Sequence, residues 1–423
     1  MSLVVKIALV SPPISGHLNP MTALARKLQS RDHDVVFISL PDGEASVRAA
    51  GLTFLPCGVK EYPLGSLKER LRWLSKLQGE EALQATLQNV AVRTEAMLNS
   101  LPAILTETGV EGVVLDTVLF YAELAPMSLG MPYAHVANAL HFDYSGYTPL
   151  CFYDWPHEAT PAARARNRKG VGLFFERLES TIAVAKAFAK RTGIEVDWDD
   201  PSATISKLAW ITQTPRAFDF EGAHWPSEFH YTGPFHDGAG RIEVDFPWDR
   251  LTGEPLIYAS MGTLMNGRAD VYRTIAAATA KQQGVQLVLS IGDQLDPEQI
   301  GPIPSNTILV QRAPQLELLK RASVCITHGG LNTVLESLAQ GVPQVAIPVT
   351  VDQPGVGARI AEKKTGRYVP LKELSESRLS LLLDQVLNDS TYRHRARYFQ
   401  KVIAETDGLS KAADLLEGAF MAA

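Results

Sequence analysis

His17 and Asp116 each stand just beyond a short aliphatic run, Val4–Val10 and Val113–Leu115, of the kind that forms a buried strand. In open parallel sheets ligands collect beyond the carboxyl ends of the strands, so both side chains are expected at the mouth of one sheet. A histidine whose second ring nitrogen is held by a carboxylate is a good general base at neutral pH, because the carboxylate fixes the tautomer and stabilises the imidazolium. Such catalysis is worth about 10²–10⁴ in rate. Spacing leaves a plainer alternative open, in which His17 caps a turn and Asp116 caps the next helix. The segment Ser11–Pro20 reads as a loop that ends with Asn19 as a helix N-cap and Pro20 at the first helical position.

A second constellation lies in Val324–Glu336, where an aliphatic run passes through Gly329 and Gly330 into a helical pattern. Glycines there let the backbone approach a ligand and aim N–H groups at it, which makes an anion site. The helix terminus alone contributes about 0.3–1 kcal/mol when exposed and up to about 2 when partly buried, so hydrogen bonds from His328, Asn332 or Thr333 must add to it. A leaving diphosphate needs that arrangement. Glu336 fits a capping box, Thr333-x-x-Glu336, or a carboxylate for ribose hydroxyls. Asp197-Trp-Asp199 has the D-x-D spacing of some metal-dependent sugar transferases, but no strand leads into it, and we expect no metal. The chain has no G-x-x-x-x-G-K-[ST], and Gly238-Ala-Gly240 lacks the third glycine of a dinucleotide fingerprint, so neither ATP nor NAD is supported.

Several elements must position these residues. At 423 residues the chain suggests two domains, and its 46% hydrophobic and 20% charged fractions are those of a globular enzyme. A net charge of −6 argues against nucleic acid as a partner. Cys57, Cys151 and Cys325 are scattered without C-x-x-C spacing, which fits a reducing cytoplasm. The opening MSLVVKIALV is interrupted by Lys6 and reads as a first strand, not a signal segment, and no apolar run reaches membrane-spanning length.

Strand-like runs at Val4–Val10, Val35–Ser39 and Gly112–Asp116 alternate with helical patterns, and the same grammar restarts at Leu256–Ala259 and continues through Gln286–Ser290, Thr307–Val310, Val324–Thr327 and Gln344–Ile347. This predicts an α/β protein with two doubly wound, Rossmann-like sheets. The Gly- and Pro-rich stretch from Tyr231 to Gly240 reads as a linker, giving a first domain over 1–240 and a second over 241–405. A last helix, about Leu409–Phe420 within 406–423, is expected to cross back to the first domain.

The segment from Arg312-Ala-Pro-Gln315 through Thr327-His-Gly-Gly-Leu-Asn-Thr-Val-Leu-Glu336 and Gly341-Val-Pro343 to Asp352-Gln353 resembles the nucleotide-sugar signature of family 1 UDP-glycosyltransferases. His17 in G-H-x-x-P, Asp116, and Ser260-Met-Gly-Thr263 match that family's base, orienting acid and first phosphate-facing loop. The resemblance implies the GT-B fold, with two domains facing a cleft, and inverting, metal-independent transfer from a UDP-sugar co-substrate. It places Gln315 near the base, Glu336 on the ribose, and Thr263, His328, Gly330, Asn332 and Thr333 at the diphosphate. Asp352 and Gln353 would grip the sugar, the alternative being a helix cap before Pro354. Arg312 departs from the stacking Trp usual in plant members, although a guanidinium also stacks on a ring. Within the family, Tyr258–Asn266, Asn138-Ala-Leu140 and Asp352-Gln-Pro-Gly355 look most like zeaxanthin glucosyltransferases, with macrolide-type transferases beside them.

The acceptor side is expected in the first domain, where Phe142–Trp155 carries Phe142, Tyr144, Tyr147, Phe152, Tyr153 and Trp155. Phe120, Asn138, Phe142, Tyr144 and Phe152 are the candidate acceptor contacts, and an apolar hydroxylated small molecule is the partner they suit. The stretch could equally pack the core. Leu67, Leu71, Leu74 and Leu77, with Lys68, Arg70, Arg72 and Lys76 among them, form an apolar stripe that suits a docked helix or transient contact with a membrane surface. We expect a monomer. Two rival readings are a UDP-sugar epimerase or hydrolase on the same fold and a non-catalytic partner of another transferase, which would need no His17–Asp116 pair.

Overall fold

The computed structural model describes residues 4–421 apart from 75, 76, 78, 224, 240–242, 264 and 265. Strands β1 (Lys6–Val10), β2 (Asp34–Ser39), β3 (Thr53–Pro56), β4 (Gly112–Asp116), β5 (Tyr133–Ala137), β6 (Trp210–Thr212) and β7 (Phe229–Tyr231) form one sheet in the order β3-β2-β1-β4-β5-β6-β7. Strands β8 (Leu256–Ser260), β9 (Gln286–Ser290), β10 (Thr307–Val310), β11 (Ala322–Thr327), β12 (Gln344–Ala346) and β13 (Gly366–Tyr368) form the other, in the order β10-β9-β8-β11-β12-β13. All pairings are parallel. Parallel strands are covered on both faces, and the central strands β1, β4, β8 and β11 are accordingly rich in apolar residues. Ile7, Leu9 and Phe37 pack under the helix Ser15–Gln29, while Ala8, Val10 and Ile38 pack under the long helix Gly79–Thr108.

Each sheet reverses its winding direction once, between β1 and β4 in the first and between β8 and β11 in the second, and a crevice opens at each such point. Val10 is in register with Leu115, and Ser260 with Thr327. The residues that follow these four strands are therefore gathered in pairs at the two crevices.

The chain between β7 and β8 links the sheets, and the expected boundary at residue 240 lies outside the described residues. The last helix, Gly408–Met421, lies against Ser15–Gln29 and buries Leu409, Ala412, Leu416 and Phe420 in the first domain's core. Gly112 has no room for a side chain there, since a Cβ would stand 2.7 Å from the Phe420 ring. Arg31 fastens the helix by ion pairs to Asp414 at 2.6 Å and Glu417 at 3.0 Å.

A buried network joins the domains. Arg359 of the second domain reaches Asp219 of the first at 2.7 Å, and the other Asp219 oxygen meets His141 Nε2 at 2.9 Å and the Tyr231 hydroxyl at 2.5 Å. Burial alone pushes the Asp219 carboxyl up, but Arg359 and His141 overcome it and hold the group well below the usual carboxylate range. Phe218 packs edge-on against Phe399 with ring centres 5.7 Å apart, and Gly355 N–H donates to the Cys151 carbonyl at 2.9 Å.

Three sequence expectations are corrected. The first helix begins at Ser15 with Ile14 as N-cap, so Asn19 is no cap and Pro20 lies inside the helix. Strands β3, β5, β6, β7 and β13 escaped the pattern reading because they are short and carry polar residues among the apolar ones. The helix Ser66–Leu74 stops before Leu77, which leaves the proposed stripe incomplete; Lys76 and the Leu71 side chain lie outside what is described. In this region Leu64 is 74% and Trp73 50% exposed. Among the described residues no helix is long and apolar enough to cross a membrane.

Candidate active site

His17 occupies the first turn of the helix Ser15–Gln29, and Asp116 is the last residue of β4. Because β1 and β4 are neighbours, the two side chains meet, with His17 Nδ1 2.7 Å from Asp116 Oδ2. A carboxylate only accepts, so Nδ1 carries the proton, and in the neutral ring Nε2 keeps its lone pair. Asp116 is buried and held twice more, by Asn138 Nδ2 on Oδ2 at 2.8 Å and by Val118 N–H on Oδ1 at 3.1 Å. Burial by itself pushes the His17 imidazole down, and Arg93 adds to that, but the Asp116 carboxylate and, across the cleft, that of Asp352 outweigh both and raise it above 6.5. Sequence reasoning made Asn138 an acceptor contact. The structure instead gives its amide to Asp116.

Facing this pair is the start of the helix Leu331–Ala339, whose N-cap is Gly330 with no side-chain cap. Its first N–H groups are thus free of the capping box that Thr333 and Glu336 could have made, since Thr333 is already inside the helix. His328 lies between two glycines, and a Cβ on Gly262 or Gly330 would come within 2.5 and 2.4 Å of its ring. Gly262 also has φ +72°, a conformation that favours glycine. Burial pushes His328 down to about 4, against a weaker upward pull from the Ser260 backbone, so it serves as a neutral hydrogen-bonding group. The Thr263 hydroxyl accepts from Ser15 Oγ at 3.3 Å, which brings the loop after β8 against the His17 turn.

Asn332 spans the cleft. Its Nδ2 donates to the Gly16 carbonyl at 2.5 Å and its Oδ1 accepts from Gln213 Nε2 at 2.8 Å, so it ties the two domains together. Gln315 is also engaged at both ends, accepting from the Tyr258 hydroxyl at 3.1 Å and donating to Glu336 at 2.6 Å. Glu336 is buried in the helix yet lines a cavity of about 270 Å³ together with Asn19, Pro20, His236, Asp237 and Asn332. Arg312 is paired edge-on with Asp293, Nε to Oδ1 at 2.9 Å, an interaction between loops that no spacing in the sequence signals. That pairing uses the rim of the guanidinium and leaves its faces for stacking.

Asp352 makes no side-chain cap to the helix Gln353–Glu362; its Oδ2 accepts from Leu140 N–H across the cleft at 3.0 Å. Burial raises the Asp352 carboxyl, with the Leu140 bond and His17 pulling it back. Val351 before it takes φ +58°, strained for a β-branched residue and of a kind found where a neighbour must be aimed. Gln353 is buried with Oε1 accepting from Val349 and Thr350 N–H at 2.9 and 3.1 Å, so its carbonyl shapes this loop instead of reaching outward.

Phe142 is buried, stacked on Phe152 at 5.7 Å and Phe174 at 5.9 Å, and belongs to the core. Phe120, Tyr144 and Phe152 are partly exposed along the same aromatic cluster. Phe174, on the helix Pro161–Arg177, completes it and was missed because that helix shows no clear apolar face. The Asp197–Asp199 spacing is that of a local turn, with Asp199 N–H donating to Asp197 Oδ1 at 3.0 Å.

The family model for UDP-glucoronosyl and UDP-glucosyl transferases matches residues 246–403, the segment that contains every donor-side residue described above. A zeaxanthin glucosyltransferase of Pantoea ananas is 27% identical over 412 residues, covering 97% of this chain and 95% of the relative. The chain is a glycosyltransferase whose residues 246–403 carry the UDP-glycosyltransferase family's domain. An NDP-glycosyltransferase of Bacillus subtilis, YjiC, is 25% identical and covers 98% of this glycosyltransferase and 97% of its own length. The crystal structure of the glycotransferase of kitacinnamycin superposes with a TM-score of 0.75 at 22% identity over 99% of this chain and all of the other, and that of VinC with dTDP at 0.69 and 19% over 98% and 99%. These likenesses give the glycosyltransferase the GT-B fold.

Proposed function

We propose that this glycosyltransferase moves a hexose, glucose in the first instance, from a UDP-sugar to a hydroxyl of an apolar natural-product acceptor, in one inverting step and without a metal. The observation that carries the reading is the His17–Asp116 contact of 2.7 Å, set opposite the uncapped start of Leu331–Ala339. His17 Nε2 takes the acceptor proton as the acceptor oxygen bonds to the anomeric carbon. The bond from that carbon to the β-phosphate oxygen breaks, and UDP leaves with the electron pair. Its charge is received by the helix N-terminus, Thr263, Thr333 and neutral His328, a fixed field of the kind that stabilises a developing anion.

Glu336, ordered by Gln315, takes the ribose, Arg312 stacks on the base, and Asp352 faces the sugar. Phe120, Tyr144 and Phe152 form the apolar wall for the acceptor. Zeaxanthin glucosyltransferases and the demethyllactenocin mycarosyltransferase of Streptomyces fradiae, 27% identical over 97% of this chain, support a carotenoid- or macrolide-like acceptor. Exposed Leu64 and Trp73 beside Lys68 and Arg72 suit transient contact with a membrane surface from which such an acceptor is taken.

Mass spectrometry of reactions with chelator, UDP-glucose and a panel of hydroxylated carotenoids, macrolides and flavonoids tests this. A hexose added to one class supports the reading and names the acceptor. UDP-glucose consumed with no conjugate replaces it with epimerisation or hydrolysis.

A further inference from the structure

The bonds around Asn332 close a ring through both domains. From Asp116 it runs to Asn138 Nδ2 at 2.8 Å, from the Asn138 carbonyl to Gln213 Nε2 at 2.8 Å, from Gln213 Nε2 to Asn332 Oδ1 at 2.8 Å, and from Asn332 Nδ2 to the Gly16 carbonyl at 2.5 Å, next to His17. The last bond exists because of Pro20. In a regular helix the Gly16 carbonyl would accept the N–H of residue 20, but proline has none and its ring pushes that carbonyl outward. The freed acceptor is the one Asn332 uses.

Gln213 pays for its place in the ring. It is fully buried, and with Nε2 donating to two oxygens its Oε1 has no partner among the described residues. Turning the amide over would face oxygen to oxygen on both bonds. A buried unpaired carbonyl and a proline inside a helix are each unfavourable for stability, and both act on one contact, Asn332 with the first domain.

We propose that Pro20 and Gln213 are positioning residues that, through Asn332, register the start of Leu331–Ala339 on the His17–Asp116 pair and so set the spacing between base and departing diphosphate. This rests on the transfer reaction proposed above. Pro20→Ala restores a helix donor to Gly16 and competes with Asn332. It should keep or raise Tm, lower kcat at least fivefold, and leave the UDP-sugar KM within threefold. Gln213→Ala should give the same split between kcat and KM. Asn332→Ala combined with Pro20→Ala should be no slower than Asn332→Ala alone, because both remove one contact. Wild-type kcat in Pro20→Ala and Gln213→Ala, or losses that multiply in the double variant, overturns the proposal. Hydrogen exchange gives a readout that needs no turnover: Pro20→Ala and Gln213→Ala should each loosen the peptide over 328–340, although Pro20→Ala adds a helix hydrogen bond within 15–25. Unchanged exchange in 328–340 also overturns it, whereas a wild type that transfers nothing, with 328–340 still loosened in the variants, overturns only the reaction.

Discussion

The Asn138 amide reaches the same oxygen of Asp116, Oδ2 at 2.8 Å, that His17 Nδ1 reaches at 2.7 Å. One carboxylate oxygen therefore holds the His17 ring and is itself held, with Val118 N–H on the other oxygen fixing the plane. This makes the dyad rigid without help from a ligand. It also sets the pH behaviour. His17 must be neutral to accept a proton, and its pKa is raised, so kcat/KM should fall as pH drops through a value above 6.5. Asp116→Asn removes the main raising cause and leaves burial, so its acid limb should move to lower pH while the rate drops by about 10²–10⁴. A rate–pH profile of both proteins checks this; an unmoved limb contradicts the pairing.

Gly330 and His328 give a steric prediction. A methyl group at Gly330 would lie 2.4 Å from Nε2 of His328 and must displace the ring. Gly330→Ala should weaken UDP binding by about tenfold to a hundredfold, the worth of a hydrogen bond to a charged group, with secondary structure intact by circular dichroism. Titration calorimetry with UDP measures it.

Glu336 separates nucleoside from phosphate recognition. Glu336→Gln turns an acceptor-only carboxylate, held by Gln315 at 2.6 Å, into an amide. UDP affinity should fall roughly tenfold, a single hydrogen bond's worth, while inorganic pyrophosphate affinity stays unchanged. Equal losses for both ligands place Glu336 away from the ribose.

Much of this site was legible because its residues follow strands. The ends of β1, β4 and β11 follow from their aliphatic runs and that of β8 to within one residue, and register then brings His17 and Asp116 to one crevice. What stayed hidden depends on side chains that meet across the cleft. Gln213 follows β6, a three-residue strand too short to give a period, and Asn332 is aimed by Pro20, which sequence alone makes a helix start. Asn138 was assigned to the acceptor by its aromatic neighbours, whereas its position just after β5, next to β4, is what brings it to Asp116.

The Asp219–Arg359 pair predicts a stability effect away from the chemistry. Both side chains are at most 2% exposed, so removing Arg359 leaves the Asp219 carboxylate buried with only His141 and the Tyr231 hydroxyl. Arg359→Met should destabilise the protein by about 3–5 kcal/mol, and adding Asp219→Leu should recover a large part of that. Urea unfolding of the two variants checks the order; a double variant less stable than the single one contradicts it.

As the proposed base, His17 acts on the acceptor and not on the donor. Single-turnover transfer and UDP calorimetry on His17→Ala test it together. Transfer should fall by about 10²–10⁴ with UDP affinity within threefold of wild type; affinity lost in parallel with the rate, or transfer that survives, contradicts the assignment of His17 as the base.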